Sequence, residues 1–183
     1  ESARIQPGLL DYVEAHGTGT ALGDPIEVNA LGEVLRIGAE PGKVYGIGSV
    51  KTNIGHAESA AGVASLIKAS MILQHRQVPA SLNFETPNPL IPFEQYNIRV
   101  QQALAPLPYR GRPALVCVNS FGIGGTNVHF VLEEHVAAPS PAAAEQASTA
   151  TPRPRLVPLS ARSERSLKDA AESLAEHFEA NPG

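Results

Sequence analysis

Two histidines stand in segments whose composition suits a strand giving way to a glycine-bearing turn and then a helix. One lies in Glu14-Ala15-His16-Gly17-Thr18-Gly19-Thr20, the other in Val50-Lys51-Thr52-Asn53-Ile54-Gly55-His56-Ala57-Glu58. Such placement can aim imidazole N–H groups at one point, where aligned donors stabilise negative charge developing on a substrate oxygen. The other histidines, His75, His129, His135 and His177, show no ligand spacing of the His-Glu-x-x-His kind, and His129 reads as a packing residue of the last strand. Cys117 is the only cysteine and lies in the apolar run Leu115-Val116-Cys117-Val118, where a free thiol behaves as a small core residue. No metal site is expected. The chain reads as one part of an active site whose nucleophile lies elsewhere.

Those residues need a scaffold, and composition bounds it. The 183 residues are 43% apolar and 17% charged, which fits a compact fold with a real core and argues against disorder. The net charge is only -4 and the basic residues are scattered, so a nucleic-acid surface is not expected. No apolar run approaches the roughly 20 residues that span a bilayer. With no internal disulfide possible, a reducing, cytoplasmic setting is expected. The chain opens on Glu1-Ser2-Ala3-Arg4 and runs almost at once into an apolar segment, as a piece of something longer would.

The pattern predicts strands at Leu9 to Ala15, Val44 to Val50, Ile98 to Ala103, Ala114 to Asn119 and Val128 to Glu133. Asp24-Pro25-Ile26-Glu27 combines a capping Asp, Pro at the first helical position and Glu three residues after the cap, so a helix should run to about Ile37 and stop at Gly38. From Glu58 to about His75 a helix is expected that is apolar nearly all round, hence buried. Pro79 to Pro92, with four prolines, reads as an ordered loop. Strands alternating with helices point to a layered α/β fold.

Three units are expected: 1–136, a linker over 137–155 rich in Ala, Pro, Ser and Thr, and 156–183. Within the last, Leu156 to Leu159 suits a short strand. Ser163 should cap a helix that carries Leu167, Ala170, Ala171, Leu174 and Phe178 on one face, a stripe seeking a partner surface.

Three motifs in order, His16-Gly-Thr-Gly-Thr, Lys51-Thr-Asn-Ile-Gly-His56 and Asn119-Ser-Phe-Gly-Ile-Gly-Gly-Thr-Asn127, resemble signatures of the β-ketoacyl synthases, and more narrowly of the ketosynthase domains of type I polyketide synthases. The resemblance covers about residues 9 to 135. The tail from Leu156-Val157-Pro158-Leu159-Ser160-Ala161-Arg162 is similar to the linker that leads from such a domain to an acyltransferase. The fold implied is the C-terminal half of a thiolase-like layered α/β domain. The reaction implied is decarboxylative Claisen condensation of an acyl thioester with a malonyl-type extender on an acyl carrier protein.

By that resemblance His16 and His56 hold the malonyl thioester carbonyl during decarboxylation, and Lys51 with its acidic partner Glu27 organises them. Glu27 also has a complete local explanation as the capping-box residue of its helix. Thr18 and Thr20 match threonines that hydrogen-bond the phosphopantetheine arm, and turn-stabilising hydroxyls are the alternative. Phe121, Gly122, Ile123 and Gly124 match the loop beside the catalytic Cys. Many relatives carry an aromatic residue in place of Ile123, which bears on acyl-chain selectivity. The implied partners are the N-terminal ketosynthase half that carries the Cys, the acyl carrier protein, an adjacent acyltransferase domain and a second copy in a homodimer. No cofactor is implied beyond the carrier's phosphopantetheine arm, and neither nucleic acid nor membrane is an expected partner.

Two other classes compete. One is a non-condensing ketosynthase-like scaffold kept for dimerisation and chain transfer, which the intact histidine pair disfavours. The other is a degradative thiolase using coenzyme A, disfavoured by the same pair and by the Pro-rich linker. Two nucleotide-binding patterns also fail. Gly122 to Asn127 has Asn127 where a dinucleotide fingerprint needs its third Gly, and Gly38 to Val44 is one residue short of a phosphate loop.

Overall fold

The computed structural model describes residues 3–136 and 157–181. The chain divides into two compact units, Glu1–Val136 and Ala137–Gly183. The first is built on a sheet of five strands: β1 (Tyr12–Glu14), β2 (Tyr45–Gly48), β4 (Ile98–Val100), β6 (Leu115–Phe121) and β7 (Asn127–Glu133). Their order across the sheet is β4-β2-β1-β6-β7. The first four are mutually parallel, and β7 returns antiparallel along β6 as a hairpin. A two-stranded ribbon, β3 (Gln77–Val78) with β5 (Ala105–Pro106), lies apart from it.

Alternation along β1 and β6 sends successive side chains to opposite faces. Val13, Leu115 and Cys117 join Val28 and Leu35 of helix α1 (Gly23–Leu35) in one core. Tyr12, Val116 and Val118 join Ala69, Ile72 and Leu73 of helix α3 (Ala61–His75) in the other. The sheet is therefore the middle of three layers. A parallel strand covered on both faces should be an unbroken apolar run, as β6 is through Val118. Cys117 is fully buried and its thiol is pushed up to about 12, foremost by burial, so it has no reactive role here.

Several boundaries differ from the sequence expectation. Leu9 closes a 3₁₀ turn (Pro7–Leu9) that shortens the first strand to three residues. The second strand ends at Gly48 because a one-turn helix, α2 (Lys51–Ile54), begins at once. The strand expected over Ile98 to Ala103 stops at Val100, and β6 runs two residues past Asn119 into the glycine loop. A one-turn helix, α4 (Phe93–Tyr96), follows the proline-rich loop.

Two corrections are physical. The capping box of α1 does not form: Thr20 Oγ1 instead accepts from the Gly23 N–H at 3.0 Å, which frees the Glu27 carboxylate to turn backwards. Nor is α3 buried all round. Its sheet-facing side is covered, but Val63, Ile67 and Met71 point outward with exposures of 60, 58 and 46%.

In the second unit α5 (Glu164–Ala180) starts where expected, with Ser163 Oγ accepting from the Ser166 N–H at 3.2 Å. Val157 to Ser160 form no strand, and Leu156 and the 137–155 linker lie outside the described residues. No helix among the described residues is long and apolar enough to cross a membrane.

Candidate active site

Parallel pairing brings the two histidine motifs together. Because β1 lies between β2 and β6 in parallel register, the loops after all three strands leave from the same edge of the sheet. That edge is where open α/β sheets bind ligands. The loop after β1 presents His16, the segment after β2 presents Lys51 and His56, and the end of β6 presents Phe121 and the Gly122 to Gly125 loop.

The rings of His16 and His56 meet edge to face, centroids 5.9 Å apart, and Phe121 lies 5.3 Å from His16 on another side. Each imidazole is tied down through Nδ1. His16 Nδ1 accepts from the Phe121 N–H at 3.3 Å, and His56 Nδ1 accepts from the Glu58 N–H at 2.9 Å. A backbone N–H can only donate, so each Nδ1 carries a lone pair and each ring's proton resides on Nε2. The two Nε2–H groups are left as donors. Burial, then the Lys51 charge, holds His16 below the ordinary imidazole pKa, which keeps the ring neutral.

The main chain beneath the histidines is held by two buried carboxylates. Glu27 reaches back from α1, Oε1 accepting from the His16 N–H at 2.8 Å and Oε2 from the Gly17 N–H at 2.9 Å. Gly17 needs φ of +47°, and a Cβ there would sit 2.8 Å from Ser49 Cβ, so only glycine suits this turn. Glu14, fully buried, accepts from the Val50 N–H at 2.5 Å and anchors the start of the second motif. Its other oxygen meets Lys68 Nζ of α3 at 2.7 Å, with the Tyr12 hydroxyl at 3.2 Å.

Lys51 and Glu27 do not form a salt bridge, contrary to the pairing expected from sequence. Their interaction is longer in range, Glu14 and Glu27 both favouring the charged ammonium that burial disfavours. Thr18 and Thr20 lie at the mouth of the first loop, hydroxyls 3.4 Å apart. Beside them opens a cavity of about 780 Å³, walled by Gly17, Thr20 and Ser49 on one side and Phe84, Leu90 and Phe93 on the other. Ile123 is fully exposed at the tip of the glycine loop. No cluster of metal-ligating side chains occurs among the described residues.

The sequence reading gave two residues, Asn119 and His129, no part in the site. Asn119 is 4% exposed, and its Nδ2–H donates to Glu27 Oε1 at 2.8 Å. His129, its cross-strand neighbour on β7, meets Asn119 Oδ1 at 2.6 Å through Nδ1. The available signal was Asn119 itself: an amide closing a buried apolar strand must find hydrogen-bond partners.

A layered α/β fold with two imidazoles at the carboxyl ends of its parallel strands defines half of a thiolase-like domain, and comparison with known proteins agrees. Residues 1–85 match the family described as "Beta-ketoacyl synthase, C-terminal domain", and residues 87–182 match "Ketoacyl-synthetase C-terminal extension". The chain belongs to the β-ketoacyl synthase family, as the C-terminal portion of a ketosynthase of the type I polyketide synthase kind.

It is 49% identical over 183 aligned positions (94% of this chain) to polyketide synthase GfsA of Streptomyces halstedii. It is 42% identical over 182 residues, covering 100% of this chain, to erythronolide synthase EryA3 of Saccharopolyspora erythraea. These alignments span only 2 and 6% of the respective relatives. Among solved structures, ketosynthase twelve from the bacillaene polyketide synthase of Bacillus amyloliquefaciens matches with a TM-score of 0.71 and 39% identity, over 100% of this chain and 30% of that one.

Proposed function

We propose that this chain supplies the decarboxylation half of a ketosynthase active site, in an acyltransferase of the 3-oxoacyl-[acyl-carrier-protein] synthase type. The observation that carries the reading is the pair of adjacent imidazoles, each with Nδ1 occupied by a backbone N–H and Nε2–H left to donate. The malonyl thioester carbonyl accepts from both. Its Cα–carboxylate bond breaks, CO2 leaves, and the electron pair becomes an enolate whose oxygen the two donors stabilise. The enolate carbon then attacks the carbonyl of an acyl thioester, forming the new C–C bond, and the thiolate leaves. That thioester is carried by a cysteine in the upstream half of the ketosynthase, since Cys117 is buried and protonated.

Neutral donors suit this step better than charged ones, because a charged ring would pair with the substrate carboxylate and stabilise the group that has to leave. Burial first, and then the positive potential of Lys51, keep His16 uncharged, and Glu27 fixes the turn from which His16 projects. Thr20, which lines the cavity, and its neighbour Thr18 are the residues we assign to hydrogen-bond the phosphopantetheine arm of an acyl carrier protein, an assignment supported by their hydroxyls at the cavity's edge. Phe121 and the Gly122-Ile123-Gly124 loop border the acyl chain. The working assembly includes the upstream ketosynthase half, an acyl carrier protein, an adjacent acyltransferase domain and a second copy of the synthase.

His16→Ala in the full-length synthase should lower malonyl decarboxylation by two to three decades, the typical effect of removing one preorganised donor. Acyl loading of the upstream cysteine should continue. Decarboxylation at the unaltered rate would overturn the assignment.

A further inference from the structure

We propose that His129 is a positioning residue for His16, acting through Asn119 and Glu27. The inference rests on the function proposed above and extends it to a strand on the far side of the sheet from the second histidine motif.

The hydrogen bonds form a chain with one possible direction. Asn119 Nδ2–H donates to Glu27 Oε1 at 2.8 Å, so its Oδ1 is the atom facing His129, 2.6 Å from Nδ1. The reversed amide would set Oδ1 against a carboxylate oxygen, acceptor against acceptor. An amide oxygen only accepts, so His129 must carry its proton on Nδ1. This is the opposite tautomer from that of His16 and His56, whose Nδ1 atoms accept. His129 Nδ1–H thus orients the Asn119 amide, and the amide orients Glu27. Glu27 in turn holds the N–H groups of His16 and Gly17.

The chain lies in a setting where orientation counts. Asn119 and Glu27 are 4 and 6% exposed, and buried polar groups there hold one arrangement only while every partner is in place. Glu27 accepts three hydrogen bonds, two from the main chain and one from the amide. Without His129 the amide keeps its sense, which Glu27 sets, but loses the tether on Oδ1, and the amide and Glu27 can shift together from the turn that aims His16. A neutral and a charged His129 both present Nδ1–H, so the chain does not depend on the ring's charge. His129 itself is exposed on β7, and only the partial burial of its ring shifts its pKa downward from the ordinary imidazole value.

The test replaces His129 in the full-length synthase and follows malonyl decarboxylation from a malonyl-loaded acyl carrier protein. His129→Leu should reduce kcat about tenfold, as expected for one hydrogen bond to a buried polar group. KM for the carrier and acyl loading of the upstream cysteine should not change. His129→Asn should restore kcat to within about threefold of wild type, because its Nδ2–H stands where Nδ1–H stood. Asn119→Asp keeps the shape but sets a second carboxylate against Glu27, so it should show the same loss of kcat at unchanged KM. Wild-type kcat in His129→Leu, or His129→Asn no better than His129→Leu, would overturn the proposal. His16→Ala run alongside separates the two claims. If it still decarboxylates, the functional reading fails; if it does not and His129→Leu is unimpaired, only the positioning role fails.

Discussion

An imidazole that must donate a hydrogen bond without being charged needs a neighbour that discourages protonation, and Lys51 is that neighbour for His16. Burial is the larger cause of the depressed pKa and the Lys51 charge the next, while Glu27 pulls the other way. A ring that works when neutral loses activity as pH falls through its pKa. The contribution of His16 to the acid limb of the decarboxylation profile should therefore lie below about 6.5, the ordinary imidazole value. In Lys51→Met the cation is gone, protonated His16 is less disfavoured, and the limb should move upward in pH. A pH–rate profile that stays in place would remove Lys51 from this role. The sequence made His16 and His56 legible because glycines and polar residues interrupt apolar strands there, whereas Lys51 was legible only through the resemblance of its motif. It could not show that Lys51 and Glu27 remain apart, since side-chain reach is set by the turn that Thr20, and not Asp24, closes.

The elements that carry the site are joined by an ion pair the sequence conceals. Lys68 lies in the otherwise apolar pattern of α3, and Glu14 reads as an ordinary polar residue before His16. Folding places Lys68 Nζ 2.7 Å from Glu14 Oε2, with both side chains at 8% exposure or less. Burial raises the Glu14 pKa, against which Lys68 pulls downward. Removing one partner of a buried pair leaves an uncompensated charge, at a cost of roughly 3–5 kcal/mol. Glu14→Gln should destabilise the ketosynthase by about that much in denaturant unfolding, although Gln can still accept from the Val50 N–H. Adding Lys68→Met should recover most of the loss, because the stranded cation goes with it. A double variant no more stable than Glu14→Gln would show that the pair's charge is not what binds α3 to β1. Existence and type of the long elements followed from periodicity. The strand ends did not, because they depend on pairing: β1 keeps only the residues that find partners on both β2 and β6.

At the scale of the molecule, α3 shows what its sequence pattern meant. The helix is apolar nearly all round, yet within this chain only the arc toward the sheet is covered, leaving Val63, Ile67 and Met71 outward at positions four residues apart. Residues so spaced form one ridge along the helix. An apolar ridge on the same helix that anchors Glu14 has the character of an interior surface, and the upstream ketosynthase half is the cover we propose for it. Ile67→Asp tests this. Burying Ile67 contributes about 1.5–3 kcal/mol, and an unpaired carboxylate in its place costs several more. If the ridge is internal to the assembled ketosynthase, Ile67→Asp should abolish copurification of this chain with the upstream half when the two are co-expressed, while Ile67→Leu assembles normally. If the ridge faces solvent in the working enzyme, Ile67→Asp should be at least as soluble as the parent and assemble with the same yield, and the cover must then be sought on another face.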